Sequence, residues 1–155
     1  MKYNDFINLI NDKVSINDFF CKYNQEIINY IESSLKSDSC PIISADEIEI
    51  ITEHEMIKLL SYYINNIIYE WDLEFILSYL EMSYIGLNEK IEEIIVTFSN
   101  PYTHTFINKK NIKNAIEYIN NNIEDLNLDF LTVRQKQKEK ELRPNYDTIL
   151  KIKNI

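Results

Sequence analysis

Glycine is almost missing from this sequence: Gly86 stands alone in 155 residues, beside three prolines, Pro41, Pro101 and Pro144. Sheets of short strands consume glycine at hairpins and bulges, so its scarcity argues against a turn-rich β architecture. A phosphate-cradling loop needs glycines whose backbones can approach the ligand, and one glycine cannot supply it. Alanine is also scarce while isoleucine and asparagine abound, a poor intrinsic helix composition. Helicity must therefore come from the packing of amphipathic faces.

The residues that carry chemistry are equally sparse. Metal sites on helices need ligands one turn apart, yet His54 and His104 lie in different segments. His54 sits between Glu53 and Glu55 and reads as a solvated helix start, since consecutive helical residues point in different directions. His104, in the loop after Pro101, is the better candidate for a contact residue. Cys21 and Cys40 are too few for a disulfide framework and are expected as buried, inert, reduced thiols. No catalytic residue, metal or cofactor is expected.

Residues 1–15 are broken by Asn4, Asp5, Asn11, Asp12 and Lys13, which leaves no apolar stretch for a signal peptide or membrane span. The expected compartment is the cytoplasm. The length suits one domain spanning 1–155, and 45% hydrophobic with 12% aromatic residues predicts a folded chain.

Periodicity predicts an all-α fold, a compact bundle of about six to eight helices with scope for repeated helical hairpins. A short helix is expected at 4–10. A longer one is expected at 15–35, with Phe19, Phe20, Tyr23, Ile27, Tyr30 and Ile31 inward and Ser15 and Asp18 suited to its start. Residues 36–46 read as a loop, and 48–51 are ambiguous between helix and strand. Thr52 and Glu55 open a helix that continues through Ile57, Leu60, Ile64, Ile67 and Ile68 towards Trp71, where Asp72 restarts it after a kink. Asn88 caps a helix ending near Pro101, and Asn108 caps another through Ile123. The run RQKQKEKE, 134–141, has no apolar residue, so 132–142 reads as a polar tail or solvated helix. Tyr146, Ile149, Leu150, Ile152 and Ile155 are suited to dock back on the body.

Residues 57–76 and 112–131 match at nine of twenty positions without gaps. A repeated helical hairpin would produce this, and so would chance or local convergence in an Ile/Asn-rich chain, which is the preferred reading.

Charge is unevenly distributed. Residues 26–99 hold fifteen Asp/Glu and three Lys, whereas 100–155 hold ten Lys/Arg and seven Asp/Glu, within a net charge of −9. Such a middle repels nucleic acid and anionic membrane and attracts cationic partners. On the helix expected at 70–84, Glu70, Glu74 and Glu81 fall within about 40° of one another and form an acidic stripe. Beside it Trp71, Phe75 and Tyr79 form an aromatic ridge that reads on its own as core. The candidate partner-binding residues are Glu70, Asp72, Glu74, Glu81, Glu89, Glu92, Glu93, Tyr69, Tyr84 and His104.

In the acid- and tyrosine-rich middle, the stretches WDLEFILSYL (71–80) and NEKIEEIIVTFSNP (88–101) resemble the immunity proteins of bacterial polymorphic and contact-dependent growth-inhibition toxin systems. The resemblance implies a non-enzymatic protein that binds a cognate toxin domain, commonly a basic nuclease, and covers its active site or substrate groove. Its acidic surface would then imitate a phosphate backbone. The competing expectation is a helical scaffold or adaptor that binds a protein without inhibiting it.

Overall fold

The structure is a computed structural model that describes residues 1–36, 51–83, 88–99 and 105–155. These form eight helices: α1 Tyr3–Ile10, α2 Ile16–Leu35, α3 Glu53–Ile64, α4 Glu70–Ser83, α5 Glu89–Ser99, α6 Lys109–Ile119, α7 Val133–Leu142 and α8 Tyr146–Ile152. Among the described residues there is no strand, only an isolated antiparallel bridge between Thr105 and Phe130. Nor is any helix among them long and apolar enough to cross a membrane. The all-α expectation is met.

Side-chain caps set most helix starts. Ser15, Thr52 and Asn108 accept bonds from the backbone N–H groups of Asp18, Glu55 and Asn111. Asn88 accepts from those of Lys90 and Ile91. Each satisfies a donor that has no partner inside its own helix.

The helix ends show how the chain manages with one glycine. Asp12, Asn66, Asn121 and Asn154 all adopt positive φ, between 57° and 60°. Each follows the C-cap of α1, α3, α6 or α8, and the next N–H bonds back five residues, as from Ile67 to the Tyr62 carbonyl and from Asn122 to that of Glu117. This is the Schellman ending, which usually employs glycine; asparagine and aspartate tolerate the left-handed region best among the other residues. The matched segments 57–76 and 112–131 share this ending, Asn66 corresponding to Asn121. Beyond it they diverge, because α4 follows the first whereas 124–131 contain no helix. The likeness is thus a common helix-and-cap signal rather than a repeated hairpin.

The ending at Asn65 and Asn66 also breaks the helix expected to run from Thr52 towards Trp71. Ile67 and Ile68 continue the apolar period but lie in the turn. Asp72, expected as the restart, is the third residue of α4, and its carboxylate accepts the Tyr69 N–H at 2.9 Å. Likewise α6 stops at Ile119, short of Ile123.

Helix α4 is the centre of the molecule. Every residue from Trp71 to Leu80 is buried, enclosed by α5, α2 and α3, while α6 packs on α3 and α1 on both α2 and α3. Phe20, Ile27, Leu59, Ile76, Ile94 and Ile112 are among the fully enclosed side chains. Each contributes roughly 1.5–3 kcal/mol on leaving water, and truncating Ile76 to alanine would cost about 2–5 kcal/mol.

Helix α7 inverts the usual pattern. A reciprocal capping box between Thr132 and Gln135 starts it, and its inward face is basic: Lys136 and Lys140 are buried, as is Arg143 just beyond. Their i, i+4, i+7 spacing is where leucines would stand in an ordinary amphipathic helix. Val133 and Leu142 meanwhile point outward, 69% and 75% exposed. The stretch expected as a polar tail or solvated helix is therefore a helix with one enclosed, charged face. In α8, Tyr146 and Ile149 do dock on the core, whereas Ile152 stays exposed.

Candidate functional site

Of the acidic stripe expected on α4, only Glu74 turns fully inward, whereas Glu70 and Glu81 are half-buried; Asp72, on another side of the same helix, is enclosed as well. Asp72 is 0% and Glu74 1% exposed, which removes both from any partner-binding surface and corrects the expectation. Helical angles establish that carboxylates are neighbours; they do not establish that the neighbours face water. Glu70 and Tyr69 are half-buried, and Glu70 accepts a bond from the Tyr63 hydroxyl at 3.2 Å. Glu81, also half-buried, accepts from Ser99 Oγ at 2.7 Å. Trp71, Phe75 and Tyr79 are core, as the ridge reading expected. Tyr84, His104 and Cys40 lie outside the described residues, as do 48–50 of the ambiguous segment; Ile51 is buried and non-helical. Cys21, expected to be buried, is exposed.

The buried acids are balanced by the basic carboxyl-terminal half. Glu74 receives both Arg143 terminal nitrogens, at 3.2 and 3.3 Å, and the Tyr30 hydroxyl at 3.3 Å. Arg143 also clasps Glu139, with Nε at 2.9 Å, and lies 4.3 Å over the Trp71 ring. Lys136 donates to the Thr105 carbonyl at 2.9 Å and Lys140 to Ser34 Oγ at 3.0 Å. Around Asp72, Lys153 Nζ stands at 2.7 Å and the Tyr146 hydroxyl at 3.0 Å, with Lys153 also 3.6 Å from the Phe20 ring centre. Burial opposes ionisation of Glu74, but the charges of Arg143, Lys140 and Lys136 outweigh it and hold the carboxyl below its ordinary value. Burial pushes the lysines 136, 140 and 153 down, with Glu74 or Asp72 partly restoring them. These groups join elements and leave no acid free to meet a ligand.

Among the acids that do reach water is a group on α5 and beyond α6. Glu89, Glu92 and Glu93 on α5 are exposed, as expected, and so are Glu124 and Asp125 beyond α6. Tyr118 lies at the centre of this face. Its hydroxyl donates to Glu93 Oε2 at 2.6 Å, while Lys90 stands 4.5 Å from its ring centre and donates to Asn121 Oδ1 at 2.6 Å. The hydrogen bond to Glu93, then partial burial, then the charges of Glu93, Asp125 and Glu89 push the Tyr118 phenol up to about 12. A surface phenol that feels three carboxylates marks a locally negative field.

At the other end of α6, the side chain of Asn111 is buried. Its amide donates to the carbonyls of Phe106, at 2.6 Å, and Asp129, at 3.0 Å, and its oxygen accepts the Asp129 N–H at 2.9 Å. These bonds tie residues 105–107 to 128–130 and leave Phe130 67% exposed. Sequence reasoning missed Tyr118, Asp125 and Phe130. The usable signal was the YINN ending of α6, which places Tyr118 one turn before a tight chain reversal.

Among the described residues no group of three or more His, Cys, Asp or Glu side chains could hold a metal ion. No family model matches the chain, and no curated protein or solved structure does either.

Proposed function

We propose that this protein is a non-enzymatic, immunity-type inhibitor that binds a basic toxin domain through the acidic face of α5 and the end of α6. The observation that carries this reading is the negative field around Tyr118, where Glu89, Glu93 and Asp125 act on one half-buried phenol. With Asp72 and Glu74 committed to internal cations, Glu89, Glu92, Glu93, Glu124 and Asp125 remain as a group of solvent-exposed acids on this face. Clustered carboxylates accelerate encounter with a cationic partner and orient it, and an aromatic side chain among them supplies an anchor of the kind that dominates protein interfaces. A basic nuclease, whose groove attracts phosphates, suits such a surface. Binding that occludes a groove requires no catalysis by the inhibitor.

The experiment is recovery from the native host on immobilised protein, followed by activity assay of whatever basic protein is retained. Abolished activity at one-to-one stoichiometry supports inhibition. A stable complex with undiminished activity favours the scaffold or adaptor reading. Replacing Glu89, Glu93 and Asp125 by lysine should abolish recovery; unchanged recovery would remove this face from the interface.

A further inference from the structure

Helix α5 carries its exposed acids on a stripe that does not end in acid. At about 100° per residue, Glu89, Glu92, Glu93 and Val96 occupy one arc, so the stripe passes from carboxylates to an aliphatic side chain within two turns. Val96 is 44% exposed. Beyond it lies a groove of about 450 Å³, walled by Val96 and Thr97 on one side and by Leu126, Leu128 and Phe130 on the other, with Glu93 at its rim. Its volume falls within the roughly 300–1,000 Å³ typical of sites that hold small ligands. The Phe130 wall is fixed by the Asn111 bonds, so the groove is built before anything occupies it.

Resting on the function proposed above, we infer that this groove receives an apolar side chain, leucine or phenylalanine, of the same basic partner. That side chain would stand on a segment with lysine or arginine about one helical turn away. Charge complementarity selects this occupant: Glu93 belongs both to the groove rim and to the Tyr118 cluster, so a segment filling the groove brings its flanking cations against Glu89, Glu93 and Asp125. A second copy of this chain is disfavoured, because a two-fold contact would set the same carboxylates against each other.

The probes are three labelled helical peptides: one with four lysines and a central phenylalanine, one with that phenylalanine replaced by alanine, and one with glutamates in place of lysines. Anisotropy titration should show the phenylalanine peptide binding about tenfold or more tighter than the alanine peptide, the effect of burying one large apolar side chain. Val96→Ser and Phe130→Ser, both at exposed positions, should erase that difference while leaving the alanine peptide's affinity unchanged. Equal binding of the two lysine peptides to the unmodified protein would overturn the groove assignment. If binding were then still abolished by the triple lysine variant of the acidic face, the proposed function would stand without the groove. No preference for the lysine peptides over the glutamate peptide would remove both. A dimer seen by sedimentation and lost in Phe130→Ser would give the groove to a second copy and overturn the inference.

Discussion

Arg143 grips Glu74 with both terminal nitrogens across 69 residues of sequence, and neither side chain reaches water. Taking two charges out of water is expensive, so a pair like this is weak grounds for net stability. Removing one member is a different matter, because the survivor stays buried without a counter-charge. Glu74→Gln or Arg143→Met should each destabilise by about 3–5 kcal/mol, measured by urea denaturation. Glu74→Leu combined with Arg143→Met should recover much of that loss. Trp71, the sole tryptophan, lies under Arg143 and reports both changes by its emission.

Acid should weaken the fold through the same carboxylate. The Glu74 pKa is lowered from 4.5 in the folded state, so below 4.5 the unfolded chain binds more protons than the folded one. The stability it contributes is complete above 4.5 and is lost as pH falls through the lower folded value. Denaturation midpoints across that range should decline more steeply for the native sequence than for Glu74→Gln; parallel curves would contradict this account.

Two sets of acid reversals should behave oppositely. Glu89, Glu93 and Asp125 changed to lysine should leave the melting temperature nearly untouched, since exposed substitutions are usually within about 0.5 kcal/mol. Glu74→Lys, on the stripe that sequence alone would choose, should prevent folding by adding a cation beside Arg143, Lys136 and Lys140. Circular dichroism distinguishes the two outcomes.

The contrast shows which signals the sequence carries. Caps at Ser15, Thr52, Asn88 and Asn108 are local, and the helices they start were legible. The break after Ile64 was not, because Ile67 and Ile68 keep helical spacing while the deciding feature is the backbone of Asn66. The inward turn of Glu74 was invisible for another reason: its counter-ions lie 62 to 69 residues downstream, on α7 and just beyond it, where the buried face is written in lysine and arginine. A search for apolar periodicity passes over that face entirely. On α5, by contrast, Ile91, Ile94, Ile95 and Phe98 mark the buried face by their spacing, so Glu89, Glu92 and Glu93 were placed outward from periodicity alone.

The left-handed asparagines can be tested one at a time. Asn66→Ala should destabilise by about 1 kcal/mol, because an ordinary side chain crowds the following carbonyl at positive φ. Asn66→Gly should be near neutral by thermal melting. At Asn121 the same glycine should cost more than at Asn66, since its side chain also accepts the Lys90 ammonium.

A chain is synthesised in one direction, and here the order matters. Asp72 is translated 81 residues before Lys153, its counter-ion, an interval of roughly 4–16 s at 5–20 residues per second. Throughout that interval the central helix carries charges that only later-made residues can neutralise. Closing α4 with α2, α3 and α5 before those residues emerge would bury Asp72 and Glu74 without a counter-charge, so the cost of enclosing the central helix falls only once the basic carboxyl-terminal helices are made.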